Sequence, residues 1–138
     1  MTVVLREATL ADCALLGQLN RQLISAEHSD NPMDEHQLSV RMAGFLADGY
    51  RAWLFVQADA VIGYALVHMR SDPPYIRQFL VVATHRRQGR GRHAFAALHQ
   101  VLGGGVVDLD VLVWNESGAA FWQALGFRPR FTRLRLAP

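Results

Sequence analysis

The sequence predicts a mixed α/β fold: a mostly antiparallel twisted sheet with a parallel central pair, flanked by helices on both faces. Three observations predict it. Two amphipathic helical stretches are followed by three consecutive strand-like runs; the second half then alternates strand and helix; and a basic, glycine-bearing turn joins the most apolar strand to the next helix. Consecutive strands with short turns pair antiparallel, whereas strand, helix, strand gives a parallel pair with a right-handed crossover.

Each element has its own justification. Residues 3–8 read as a first strand. Thr9 and Asp12 then form a capping box, the Thr9 hydroxyl accepting from a free amide while Asp12 reaches back. Leu15, Leu19 and Leu23 recur at i, i+4 and i+8 with Leu16 beside them, which predicts a helix with one buried stripe. A polar break, read as a solvated loop, spans residues 27–32 and carries Glu27, His28 and Asp30. Asp34 caps a second helix with the stripe Leu38, Met42, Phe45 and Leu46, ended by Asp48-Gly49. Residues 51–57 and 61–69 predict a hairpin around Ala58-Asp59-Ala60. Ser71-Asp72-Pro73-Pro74 suits a connection, and residues 75–83 form a third strand whose apolar end predicts a central place. Residues 89–102 predict a helix with Phe95, Leu98, Val101 and Leu102 inward, stopped by three glycines. A strand over 106–114, a helix over 116–125 and a last strand over 131–136 complete the order. Trp53, Phe55, Phe95, Phe121 and Leu125 fit core stripes.

With 138 residues, 51% of them hydrophobic and 19% charged, the chain reads as one domain over residues 1–138 with a real core. Its apolar runs are far shorter than the roughly 20 residues a bilayer span needs. No signal peptide is visible, and the single cysteine, Cys13, cannot close an internal disulfide, so a cytoplasmic location and no membrane partner are expected. The sequence is compatible with a homodimer. No histidines or cysteines stand at metal-ligand spacing, so no metal is expected.

The net charge of +2 conceals a bias: all 14 cations are arginine. Eight fall in two windows, Arg86, Arg87, Arg90 and Arg92, then Arg128, Arg130, Arg133 and Arg135. Guanidinium is always charged and its planar fork suits phosphate, so an anionic partner is the leading expectation.

The most informative segment runs from Phe79 through Gly91. A strand enters a basic turn that opens a helix. The first amides of a helix lack partners and the helix dipole adds positive charge there. Gly89 and Gly91 let the backbone approach a ligand. Such a turn binds phosphate or pyrophosphate. The Walker A loop is excluded, since the chain has no lysine. Gly89, Gly91 and Ala94 match a dinucleotide fingerprint. However, five polar residues separate the strand from Gly89, and the chain is too short for two mononucleotide-binding halves.

Arg86, Gly89 and Gly91 also meet R-x-x-G-x-G, and Asn115, Ala119, Phe121, Trp122, Leu125 and Gly126-Phe127 follow at a second characteristic spacing. In these two motifs and in its element order, the chain resembles the GCN5-related N-acetyltransferases (GNAT family). The resemblance implies acetyl-coenzyme A as co-substrate, its pyrophosphate held by amides from Arg87 through Gln88, Gly89, Arg90 and Gly91 to Arg92, with Arg86 beside them. It implies pantetheine pairing with Phe79, Leu80 and Val81, the Val81 amide polarising the thioester, with Asn115 and Trp122 also at the cofactor. It further implies an N-acetyltransferase acting by direct attack of a primary amine in a ternary complex.

The chain departs from the family pattern at the proton-transfer residues. The usual tyrosine is replaced by Trp122, and the strand segment Tyr75-Ile76-Arg77-Gln78 carries no carboxylate. Gln78, orienting a water, and Asn115, holding substrate or water, are the substitutes expected. His68 has a suitable intrinsic pKa, although a strand-end histidine without catalytic role is the plainer reading. Asp108 and Asp110 share a strand face and read as a solvated or ion-paired pair before a cation site. Arg77 is open to a substrate carboxylate or to a neighbouring Asp. The acceptor expected is a small-molecule or peptide amine; the resemblance sets Glu27, His28 and Asp30, between the first two helices, at the border of the acceptor site, although a solvated loop is the plainer reading. Two other readings compete: a non-catalytic coenzyme A-binding sensor, and an arginine-rich nucleic-acid-binding module, the less favoured of the two.

Overall fold

The computed structural model describes residues 2–82 and 89–138. The chain runs β1 (Val4–Glu7), α1 (Cys13–Ala26), α2 (Glu35–Ala47), β2 (Tyr50–Gln57), β3 (Ala60–His68), β4 (Tyr75–Val81), α3 (Arg90–Val101), β5 (Asp108–Leu109) and α4 (Glu116–Ala124). The sheet order is β1-β2-β3-β4-β5, antiparallel except for the parallel β4–β5 pair.

The helix starts follow from side-chain chemistry. Asp12 Oδ2 accepts from the Thr9 amide at 2.8 Å and opens a short 3-10 turn ahead of α1. Asp34 Oδ1 accepts from the Gln37 amide at 2.8 Å while Gln37 Oε1 accepts from the Asp34 amide at 3.0 Å, a reciprocal box that begins α2. Ala58 and Asp59, with φ of 50° and 65°, turn the β2–β3 hairpin in the left-handed conformation its twist prefers.

Strand alternation divides the core in two. Ala52, Leu54, Tyr64, Leu66 and Leu80 face Leu16, Leu19, Leu23 and Met42 of α1 and α2. Trp53, Phe55, Ile62, Ala65 and Val67 face Ala94, Phe95 and Leu98 of α3. Each fully buried large side chain adds roughly 1.5–3 kcal/mol to this packing. Between β3 and β4 the register runs from Leu66↔Gln78 to Val67↔Ile76. Arg77 is thus the extra residue of a β-bulge, which bends the strand locally.

Three expectations are corrected. The strand expected over 106–114 is ordered only at Asp108–Leu109, and Val106 and Val113 are exposed. The last strand, over 131–136, is absent: Phe131, Leu134 and Leu136 stand in solvent. The second failure follows from the first. A strand is stabilised by a ladder, and a two-residue β5 offers almost no edge to a following strand. Val101, expected inward, is 51% exposed because it lies at the very end of α3, beyond the packed turn at Leu98.

Candidate active site

β4 and β5 pair only at Tyr75↔Asp108 and Ile76↔Leu109. Beyond Ile76, β4 runs on without β5 beside it, and a small, open cleft of about 30 Å³ lies there. Arg77, Gln78 and Phe79 of β4 line it, with Leu109 and Asp110 on one side, Trp122 of α4, and Glu27 at the end of α1.

Behind the cleft lies a buried polar network. The Tyr64 hydroxyl donates to Gln78 Oε1 at 2.7 Å, and Gln78 Nε2 lies 3.5 Å from Asn20 Oδ1. Arg41 Nη2 donates to the same Asn20 oxygen at 3.1 Å. Asn20, Tyr64 and Gln78 are all buried. Burial, reinforced by the Glu27 carboxylate, pushes the Tyr64 phenol well above its ordinary pKa, so it stays a donor. Burial, then the charge of Arg77, lowers the Arg41 pKa. Gln78 is therefore fixed through both ends of its amide, which sets its orientation.

The cleft wall is aromatic. Trp122 packs edge-on against Phe79, Phe95 and Phe127, with ring centroids 4.9, 5.6 and 5.2 Å apart. The Arg77 guanidinium lies 4.9 Å from the Phe45 ring centroid, and its Nη1 is 3.5 Å from the Tyr50 hydroxyl. No ion pair engages Arg77 among the described residues. Leu80 and Val81 are both buried, Leu80 toward α1 and α2, Val81 toward α3.

At the start of α3, Gly89 has φ +75°, a left-handed conformation that favours glycine, and space is open where a Cβ would stand. A Cβ on Gly91 would sit 3.0 Å from the Phe121 ring, so this position admits little beyond hydrogen. Arg90 turns inward: its Nε donates to Gln57, and its Nη1 is buried with no hydrogen-bond partner among the described residues. It is thus not part of an exposed basic face, as the nucleic-acid reading requires. Arg92 is exposed. Arg86, Arg87 and Gln88 lie outside the described residues.

Other expected site residues take structural posts. Asn115 Oδ1 accepts from the Gly118 amide at 3.1 Å and caps α4. His68 stacks on Tyr50 at the strand end, 4.5 Å between centroids. Asp110 accepts from the Tyr75 hydroxyl at 3.0 Å. Cys13 is buried, and burial raises its thiol pKa.

Glu27 corrects the sequence reading. It is not in a solvated loop but is the C-cap of α1, half-buried at the cleft. Burial pushes its carboxyl pKa up. Its carbonyl accepts the Trp114 indole N–H at 3.0 Å. Asn20 was also missed, yet it left a signal: it follows Leu16 by four residues, a polar side chain on an apolar stripe.

The fold is one that solved acetyltransferases share. The sequence pattern of the acetyltransferase (GNAT) family matches residues 16–127, and the chain belongs to that family. It is 27% identical, over 94% of its length, to an uncharacterized protein of Mycobacterium leprae, and spans 37% of that relative's length. It superposes on a possible acetyltransferase from Clostridium difficile (TM-score 0.77, 15% identity, 100% of this chain and 98% of that one). A predicted acetyltransferase from Clostridium acetobutylicum, solved with acetyl-CoA, gives a TM-score of 0.76 at 16% identity over 99% of this chain and 96% of that one.

Proposed function

We propose that residues 1–138 form a single N-acetyltransferase domain that moves an acetyl group from acetyl-coenzyme A to a primary amine of a small molecule or peptide in the cytoplasm. The observation that carries this reading is the end of β4–β5 pairing at Ile76↔Leu109, which opens β4 beside the N-terminus of α3. The residues fit the carrier. Among the described residues, Gly89 leaves open space at the helix start, and the buried Arg90 Nη1 is a donor without an acceptor beside it. A related fold solved with acetyl-CoA supports the same assignment.

Bound there, the thioester supplies an activated acyl group. Arg86, Arg87, Gln88 and the amides through Arg92 would hold its phosphates. Phe79, Leu80 and Val81 would align its arm, and Trp122 and Phe79 would exclude water from the acyl end. Gln78, fixed by Tyr64 and Asn20, presents a constant face to the acceptor. Asn115 acts by holding the start of α4, and with it Trp122, in place. Positioning amine against thioester accounts for much of the rate.

The test is acetyl-coenzyme A binding by calorimetry and thermal shift. At a hundredfold excess over Kd, binding stabilises the protein by about 2.7 kcal/mol. The shift is expected to vanish in Gly89→Trp and shrink in Arg86→Ala. Absence of binding heat from either the acylated or the free carrier refutes the reading.

A further inference from the structure

We infer that Glu27 is the catalytic base of this site: its carboxylate receives the proton of an incoming, strongly basic primary amine. The inference rests on the acetyl-transfer reading above. It comes from the cleft's own inventory. β4 brings no carboxylate to the cleft; its residues there are Ile76, Arg77, Gln78 and Phe79. Two carboxylates line it from elsewhere, Glu27 and Asp110. Asp110 is engaged by the Tyr75 hydroxyl. No hydrogen bond or ion pair engages the Glu27 carboxylate among the described residues, and its backbone is pinned by Trp114. A half-buried carboxylate with a fixed backbone and an unused acceptor, facing a cleft, is placed to take a cation.

The surroundings tune it. The charged and titratable groups facing Glu27 are Tyr64 of β3, Arg77 of β4 and Asp110 beyond β5, with Arg41 of α2 behind Asn20. Burial raises the Glu27 pKa, which makes its carboxylate a stronger base than one in water. The substrate ammonium gives one proton to a Glu27 oxygen, which passes it to solvent at the cleft mouth. The freed lone pair forms the C–N bond to the acyl carbon. The C–S bond breaks with its electron pair on sulfur, and the second proton shed by nitrogen neutralises the thiolate. The products are an amide, a thiol and one released proton.

The experiment follows thiol release from acetyl-coenzyme A with aliphatic monoamines, diamines and amino-acid amides, and with weakly basic methoxyamine, between about pH 6 and 9, below the aliphatic amine pKa of ~10. Glu27→Gln is expected to lower kcat for aliphatic amines by about 100-fold or more near neutral pH. Because the variant depends on the free amine already in solution, its deficit should narrow about tenfold per pH unit. Methoxyamine, largely unprotonated throughout, should be nearly spared, and Glu27→Asp should recover part of the rate. A purely structural role predicts parallel pH profiles and equal losses for both amine classes. The fold of Glu27→Gln is checked by its melting temperature, expected to be no lower than wild type at neutral pH. Parallel profiles, equal rates, or carrier binding with no thiol release from any amine overturn the role of Glu27. Absence of carrier binding heat overturns the acetyl-transfer reading itself, and the role of Glu27 with it.

Discussion

The indole N–H of Trp114 donates to the backbone carbonyl of Glu27 across 3.0 Å, joining segments 87 residues apart in sequence. One segment ends α1; the other leads from β5 into α4. Glu27 lines the cleft, as do Asp110 and Trp122 on either side of Trp114 in sequence, so this bond ties one side of the cleft to the other.

Trp114→Phe removes that donor while keeping an aromatic ring. The bond is partly solvated, so the stability loss should be about 1 kcal/mol by urea denaturation. The larger effect should be kinetic: a several-fold rise in acceptor KM with carrier binding unchanged, since the bond anchors Glu27 at the cleft.

Gly63 sits opposite Val81 in the β3–β4 ladder, and a Cβ there would collide with the Leu80 carbonyl. That carbonyl is sheet backbone and cannot swing aside, and the Phe55 ring stands 3.0 Å from the same point. Gly63→Ala should cost roughly 3 kcal/mol or more, read as a lowered denaturation midpoint, against the 1–3 kcal/mol of ordinary overpacking.

Asn20 Oδ1 serves both Arg41 and Gln78 in a buried setting. Asn20→Ala leaves two donors without acceptors, and should cost roughly 2–3 kcal/mol in denaturant unfolding. Gln78 would lose one of its two anchors, so acceptor turnover should fall even where the protein remains folded. A change in stability with unaltered kcat/KM would contradict the positioning role of the network.

Tyr75 has its pKa raised from 10.0 to about 12, by burial first and by its hydrogen bond to Asp110 second. The folded state therefore keeps a proton that the unfolded chain releases above its ordinary pKa. Stability should fall as pH rises from about 10 to about 12, the folded protein binding more protons throughout that window. Tyr75→Phe should flatten this part of the stability–pH curve, measured by denaturation at fixed pH values.

The two helices of the first half were legible because each carries both a capping pair and an apolar stripe, as Asp34–Gln37 and Leu38–Met42 show. The hairpin and β4 were legible from runs bounded by turn residues. The last strand was not, although its composition suits one: Phe131 to Leu136 found no edge to join. The site divides the same way. The glycines of the basic turn announce themselves by spacing, whereas Glu27 and Asn20 belong to a helix far away in sequence from Gln78 and Trp122.

The sequence by itself determined the order of elements from β1 through α3 and the absence of a carboxylate on β4, since periodicity, caps and turn residues act over a few residues. Only the tertiary structure decided which polar groups meet. The packing of α1 against β3 and β4 carried Asn20 to Gln78 and set Glu27 into the cleft, contacts that depend on strand register and helix packing rather than on any local pattern.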